Sequence, residues 1–558
     1  MKITSESSSS DQLRMSLAKY WPWAFAAAVT LAHLVIAARS VGALYVREEG
    51  AFIAGANVLA GQDVAWSMCG TFSPAGYAGV LAPLWLLPMG PLEVYQFAAY
   101  LGAAIGALAM WPATALAKRF GARGFVALAI GAIVTLVPAR ALMDNYVLSA
   151  NLLTVLVLCS ALLAVRIAQD DRRIDAALLG LSVGAAVVVD PRALPLAVVT
   201  VAWLVVRGAV GKSRWLDVAA GSIVAAALAA GGLYAQMALG AEIFGEGTSS
   251  AVAALGASRF LDVLLGQAFT QAVSWSLLTV LGLLACVNKA RADARAGWAR
   301  GLASAWGWLA AMVLAQGAFV VWQLTALKPW ADTSDVPFTG STLDTYMIPL
   351  AVLGATTLWL GVRARLTNVA AVAVLVAIVA FIAVSMPRLA PDLAWRNSAV
   401  PGLAMFRDLV ATDLRWTIVV ASGFAILATA LLWISRGRTR NGVVVTLVVV
   451  AALSVSADLF RVDPAEGEAR AQSLIASTLY KTPDHTATLA ADLLPCYERN
   501  KLQLELAGIA AIVPADGDYG DDLVVGPAEW PEAEDAGWKK VQFATLGDAA
   551  LWANVTGS

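Results

Sequence analysis

Two adjacent carboxylates, Glu48 and Glu49, stand just past the first long apolar run of the chain and just before Gly50. Apolar surroundings strip hydration from a carboxylate and raise its pKa, which suits it to take a proton from a hydroxyl. On a helix, adjacent side chains point about 100° apart, so one of the two faces a given cavity. The plainer reading is a pair of solvated acids at a loop start, with Arg47 as partner. Phosphate chemistry has its own candidates. Arg140 and Asp144 lie four apart in a short polar stretch, and Asp190-Pro191-Arg192 joins two apolar runs. The planar guanidinium fork binds phosphate oxygens two at a time. Against this stands an Arg140–Asp144 salt bridge at helical spacing, worth a few tenths of a kcal/mol when exposed (roughly 0.3). Arg192 can likewise pair with Asp190 or meet a lipid phosphate. Asp63 in the turn Gly61-Gln62-Asp63, and Tyr77 closing Ser73-Pro74-Ala75-Gly76-Tyr77, complete the substrate-binding candidates. Asp344 reads first as a helix cap before the apolar run that follows it.

These residues need a scaffold, and composition says which kind. The 558 residues are 59% hydrophobic and 14% charged. A soluble protein is about 45–50% apolar and about a quarter charged. The chain carries about 14 apolar runs, many near the roughly 20 residues that cross a bilayer. The expected architecture is an all-α polytopic membrane protein. The run 75–89 is short and holds Pro83 and Pro88. If it does not cross, the segments on the N-terminal side of the membrane hold 21 of the 38 Lys and Arg. The external segments before the tail then hold 10. Basic residues mark the cytoplasmic side. The expectation is about 13 spans, with 1–20 a cytoplasmic tail, 21–457 the membrane domain and 45–90 its first external loop. The stretch 51–60 is apolar enough to lie in the interface.

From Asp458 the chain turns polar, with 17 acids against seven bases. Residues 466–480 and 486–494 read as helical. Strand-like runs follow at 508–513, 522–525, 540–545 and 549–555, with Gly/Asp turns between. The expectation is a small extracytoplasmic α/β domain over 458–558. His485 reads as a solvated residue. Cys69 and Cys496 both fall in external segments, where a disulfide can persist; Cys159 and Cys286 read as core. The Arg clusters sit at helix ends rather than in a basic domain, so no nucleic-acid partner is expected. With two His in the chain and no paired-cysteine spacing, no zinc site is expected. No Gly-rich nucleotide loop is present.

The order of features resembles the GT-C superfamily of membrane glycosyltransferases. That group includes protein O-mannosyltransferases, lipid A aminoarabinose transferases, and actinobacterial arabinosyl- and mannosyltransferases. Glu48-Glu49-Gly50 resembles the family's acid-Gly motif after the first span, although the first acid there is more often Asp. Gly61-Gln62-Asp63 and Ser73-Pro74-Ala75-Gly76-Tyr77 resemble its juxtamembrane segments. Arg140 to Asp144, followed by Asn151, resembles its external basic-acidic segment, and a soluble domain follows the last span. The resemblance implies a polyprenyl-phosphate sugar as donor, among membrane lipids. It implies an envelope glycan, lipid or protein as acceptor, and inversion at the anomeric carbon. Glu49, the acid followed by glycine, is then the leading base, with Glu48 the other catalytic candidate. Some members use a divalent metal, for which Glu48, Glu49 and Asp144 would be the ligands here.

Two other functions fit a polytopic chain. A lipid or sugar transporter or flippase usually shows related halves and ionisable residues at mid-span. No internal repeat is visible here, and the candidate charges gather toward one face. A non-catalytic envelope assembly protein would leave the loop acids solvated and use the acidic tail to bind partners.

Overall fold

The computed structural model describes residues 9–38, 47–62, 75–170, 172–244, 257–326, 341–361, 364–388, 414–435, 440–459, 486–490, 493–494, 511–515, 523–527, 529–546 and 549–554. Asp63, the Cys69 and Cys496 pair, the 466–480 segment and His485 lie outside them, as do the side chains of Arg47 and Glu48.

The chain is a helical membrane bundle followed by a small sheet. Helix α1 (Ser9–Ala37) is the first span. Helix α2 (Arg47–Leu59) carries Glu48 and Glu49 in its first turn. It does not lie in the interface: Ala51, Phe52, Ile53, Ala54 and Ala56 are buried. Helix α3 (Ala75–Leu81) and the 3-10 turn Ala82–Leu86 cover it. Phe52 meets Tyr77 edge-on at 5.0 Å between centroids. The interfacial reading fails because the apolar residues of α2 go all round the helix and find protein partners on more than one side. Together α3 and its 3-10 turn rise about 18–20 Å, short of the roughly 30 Å hydrocarbon core.

Helices α4 (Pro91–Leu108) and α5 (Met110–Phe120) make one apolar span. Pro91 opens α4, where its missing N–H costs nothing, and Glu93 bonds back to the Gly90 amide at 3.1 Å. Lys118 and Arg119 occupy the last turn of α5, and Gly121 ends it at φ 112°. Then come α6 (Gly124–Leu136), the one-turn α7 (Pro138–Ala141) and the 3-10 turn Leu142–Asn145. Helices α8 (Ala150–Asp170) and α9 (Arg173–Val189) follow. The 3-10 turn Pro191–Ala193 leads into α10 (Leu194–Ala209) and α11 (Trp215–Phe244).

The apolar run 269–287 is broken rather than one straight helix. Helices α12 (Ala257–Trp275) and α13 (Leu277–Ala294) meet at 106°. Ser276 at the break has φ 48° and ψ −123°, a backbone region that only glycine enters freely. After α14 (Trp298–Leu302) come α15 (Ala305–Ala326), α16 (Ser341–Trp359), α17 (Ala364–Val384), α18 (Leu414–Ser435) and α19 (Arg440–Leu459). Among the described residues, eight helices are long and apolar enough to cross a membrane, or nine if the bent pair is one span. That is fewer than the 13 expected from apolar runs, because helices such as α6 and α9 carry 13 and 17 residues.

Lipid offers helices no hydrophobic reason to associate, so close packing of small residues holds such a bundle. A Cβ on Gly354 of α16 would lie 2.0 Å from the Leu278 carbonyl oxygen of α13. A Cβ on Gly282 of α13 would lie 2.0 Å from the Leu350 oxygen. Gly354→Ala is therefore expected to lower the thermal midpoint in detergent by several degrees, a cost of about 1–3 kcal/mol. Gly423→Ala, where the added methyl meets nothing within 4 Å, leaves it unchanged or raised. Equal midpoints for the two variants would show that this contact does not set stability.

The C-terminal segment forms a five-stranded sheet in the order β2-β1-β3-β5-β4. Its strands are β1 (Thr486–Ala490), β2 (Ala511–Ala515), β3 (Leu523–Pro527), β4 (Trp538–Leu546) and β5 (Ala549–Asn554). Strand β1 runs parallel to β2 and β3, while β5 pairs antiparallel with β3 and β4. The helical reading of 486–494 is thus overturned at 486–490. Two threonines in that run favour a strand, and pairing on both edges outweighs the local helical pattern. The short helix α20 (Pro531–Asp535) helps Trp530 and Trp552 close a small core.

Candidate functional site

One twelve-residue segment, 140–151, gathers most of the predicted residues. It leaves α6 at Val137, makes a helical turn and a 3-10 turn, then enters α8 at Ala150. From α2, Glu49 reaches it and is fully buried. Its Oε1 accepts from the Val147 amide at 2.7 Å and from the Tyr95 hydroxyl of α4 at 2.7 Å. Tyr77 of α3 stands close by. Burial and the Glu49 charge push its hydroxyl well up, so it stays protonated. Its Oη has no protein partner among the described residues.

Arg140 and Asp144 are both buried, but they do not form the helical salt bridge that their spacing allows. Asn151 stands between them. Arg140 Nη2 donates to Asn151 Oδ1 at 2.6 Å, and Asn151 Nδ2 donates to Asp144 Oδ1 at 3.2 Å. The other Asp144 oxygen pairs with Nδ1 of His33, which comes from the last two turns of α1. Burial raises the Asp144 pKa, opposed by His33, Arg140 and Asn151. Burial lowers Arg140 to about 10, opposed by Asp144 and Asp344, which leaves it a cation at neutral pH. Its Nη1 has no protein partner among the described residues.

Two glycines one turn apart on α4 admit this network. A Cβ on Gly106 would lie 3.0 Å from Asp144 Oδ1 and 3.3 Å from Asn151 Oδ1. A Cβ on Gly102 would lie 3.5 Å from both Asn151 Nδ2 and Tyr77 Oη. Glu49, Tyr77 and the Arg140–Asp144 pair therefore meet across one face of α4.

Arg192 meets the same segment indirectly. Its guanidinium grips Asp190 through Nε at 3.0 Å and Nη2 at 2.9 Å, and its backbone amide bonds the same carboxylate at 2.9 Å. Ser149 donates to Asp190 at 3.3 Å. Gln316 of α15 donates to the Arg192 carbonyl at 2.6 Å. Tyr346 of α16 is buried beside this pair, and its hydroxyl has no protein partner among the described residues. Of the two readings of Arg192, ion pair or phosphate ligand, the structure has the ion pair.

Asp344 is the fourth residue of α16 rather than its cap. Its Oδ1 accepts from Gln271 Nε2 and from Trp275 Nε1, both on α12. Oδ2 has no protein partner among the described residues.

His33, Tyr95, Ser149, Gln271, Gln316 and Tyr346 were not among the sequence candidates. Three of them had a signal. His33, Gln271 and Gln316 lie inside apolar runs, where a polar side chain is expensive unless it has work or a partner. Among the described residues no group of three His, Cys, Asp or Glu side chains gathers. Asp144 has both oxygens engaged and Glu49 Oε1 holds two donors. Glu48, the other residue named for a divalent metal, has its side chain outside the described residues.

No family model matches the chain, and no curated protein matches it. Solved structures do. ArnT from Cupriavidus metallidurans bound to undecaprenyl phosphate superposes with a TM-score of 0.58 at 15% identity, over 96% of this chain and 99% of that one. The apo state of the same protein gives 0.58 and 15%, over 96% and 98%. From its first span to its terminal sheet, this multi-pass membrane chain therefore has the fold of ArnT, in keeping with its resemblance to the GT-C superfamily.

Proposed function

We propose that the protein is a membrane glycosyltransferase. It moves a sugar from a polyprenyl-phosphate donor to a hydroxyl of a cell-envelope acceptor, on the extracytoplasmic face. The observation that carries this reading is the convergence of Glu49, Tyr77, Asp144, Arg140 and the Asp190–Arg192 pair on segment 140–151. A buried carboxylate and a buried guanidinium nitrogen without a partner are the two groups that such a transfer needs. ArnT, whose fold this chain shares, binds undecaprenyl phosphate in its crystal structure.

In this reading Glu49 takes the proton of the acceptor hydroxyl. The acceptor oxygen bonds the anomeric carbon as the bond from that carbon to the phosphate oxygen breaks, with inversion. Polyprenyl phosphate leaves with the bonding pair, and Arg140 Nη1 offsets the growing phosphate charge. Tyr95 and the Val147 amide hold the Glu49 carboxylate in place. The basic segments support the orientation in this reading, with the N-terminus cytoplasmic and the terminal sheet outside. Clustering at one end of several helices also speaks against a transporter, whose ionisable groups sit at mid-span around a repeat interface.

The test is direct. Protein reconstituted into liposomes that carry an undecaprenyl-phosphoryl sugar is mixed with an envelope extract, and released undecaprenyl phosphate is measured by mass spectrometry. Release that depends on protein and extract is expected. Intact donor across mannosyl, glucosyl and arabinosyl forms, with lipid moved between leaflets instead, would favour the flippase.

A further inference from the structure

Resting on that donor reading, we propose that the break between α12 and α13 is a sugar-hydroxyl subsite, built by Asp344 and Gln271 beside Trp275. The donor's glycosyl group, not its lipid or its phosphate, is its ligand.

Four observations place it. First, the apolar run is broken where it need not be. Nothing in the stretch around Ser276 is proline or glycine, yet the helix turns by 106° on a serine at φ 48°. Irregular backbone at membrane depth is tolerated where it is buried in protein or lines a cavity, and strain of this kind clusters at ligand sites. Second, the last turns of α12 present polar side chains to α16. Gln271 Nε2 and Trp275 Nε1 both donate to Asp344 Oδ1. Third, that cluster leaves buried polar atoms without protein partners among the described residues. They are Asp344 Oδ2 and Gln271 Oε1, with Ser274 Oγ and Thr345 Oγ1 on the same two helix ends. Asp344, Ser274 and Thr345 are at most 5% exposed and Gln271 is 8% exposed. A buried acceptor left unbonded is unfavourable, so a ligand that donates to it is favoured. Fourth, the cluster borders the transfer site: α7, which carries Arg140, packs on both α12 and α16, and the Asp344 charge is felt at Arg140.

Chemistry selects the ligand. Two acceptor oxygens flanked by hydroxyls suit the O–H donors of a sugar ring, and a tryptophan beside them suits its apolar face. A polyprenyl chain can use none of these atoms. A phosphate would meet the carboxylate of Asp344 with like charge.

Binding separates this from the transfer reading. Undecaprenyl phosphate and its mannosyl, glucosyl and arabinosyl derivatives are titrated against the purified full-length protein. The account expects at least one glycosylated lipid to bind about tenfold or more tighter than bare undecaprenyl phosphate. Asp344→Asn and Gln271→Met should each erase that advantage and leave the affinity for bare undecaprenyl phosphate within twofold. The second variant keeps side-chain volume and guards against misfolding by the first. Retention of the full advantage in both variants, equal loss for both lipids, or no advantage in the wild type with any of the three sugars would overturn the subsite. Absence of transfer with the binding pattern intact would overturn the enzyme reading and leave the subsite standing.

Discussion

Glu49→Gln is expected to cut transfer by about 10³-fold while the protein still elutes as a single species from detergent gel filtration. The size follows from what a positioned general base contributes, about 10²–10⁴-fold. The fold should survive because the amide oxygen can still accept from the Val147 amide and the Tyr95 hydroxyl, which hold this side chain at 2.7 Å each. Donor affinity should change little, since the base acts on the acceptor. Full activity in Glu49→Gln and in the Glu48→Gln, Glu49→Gln double variant would sink the base assignment. Loss confined to the Glu48 variant would move it one residue back along α2.

Arg140→Ala is expected to weaken binding of undecaprenyl phosphate by about 10²-fold, close to 2.7 kcal/mol. A charge-assisted pair removed from a buried setting costs about 2–5 kcal/mol. Thermal stability falls as well, because the variant leaves Asn151 Oδ1 without the 2.6 Å bond it now accepts. Arg140→Lys separates the effects: it keeps the charge that Asp144 and Asp344 see but lacks the fork. Lysine should restore most of the stability and little of the lipid affinity. Unchanged affinity in Arg140→Ala would remove the phosphate contact from the account. Arg192→Ala is the weaker variant here, because that guanidinium is already gripped by Asp190 through two nitrogens.

What could be read from the chain divides along physical lines. Apolar run lengths and charge placement speak to the bilayer, and they foresaw a polytopic bundle with a small sheet-bearing tail. They also kept 75–89 from being a span, and α3 with its 3-10 turn is too short for one. Glu49, Arg140 and Asp144 stood out because charges next to apolar runs are costly, and all three are buried. Their partners did not stand out, since who pairs with whom depends on contacts between distant segments. Spacing suggested Arg140 with Asp144, but Asn151 came between them. Spacing suggested Asp344 as a cap, but α12 bends back to meet it. His33 lies 111 positions from Asp144, and only the packing of α1 on the segment brings them together. The strand at 486–490 was misread because its pairing to β2 and β3 is likewise non-local. Gly102 and Gly106, which admit the polar network against α4, were not among the residues singled out from the sequence.

A structure of the protein with undecaprenyl phosphate bound would decide most. The account predicts the phosphate within hydrogen-bond distance, about 2.7–3.2 Å, of Arg140 Nη1, on the same side of α4 as Glu49 and Tyr77. A phosphate seated elsewhere, with Arg140 and Glu49 both out of reach, would contradict it.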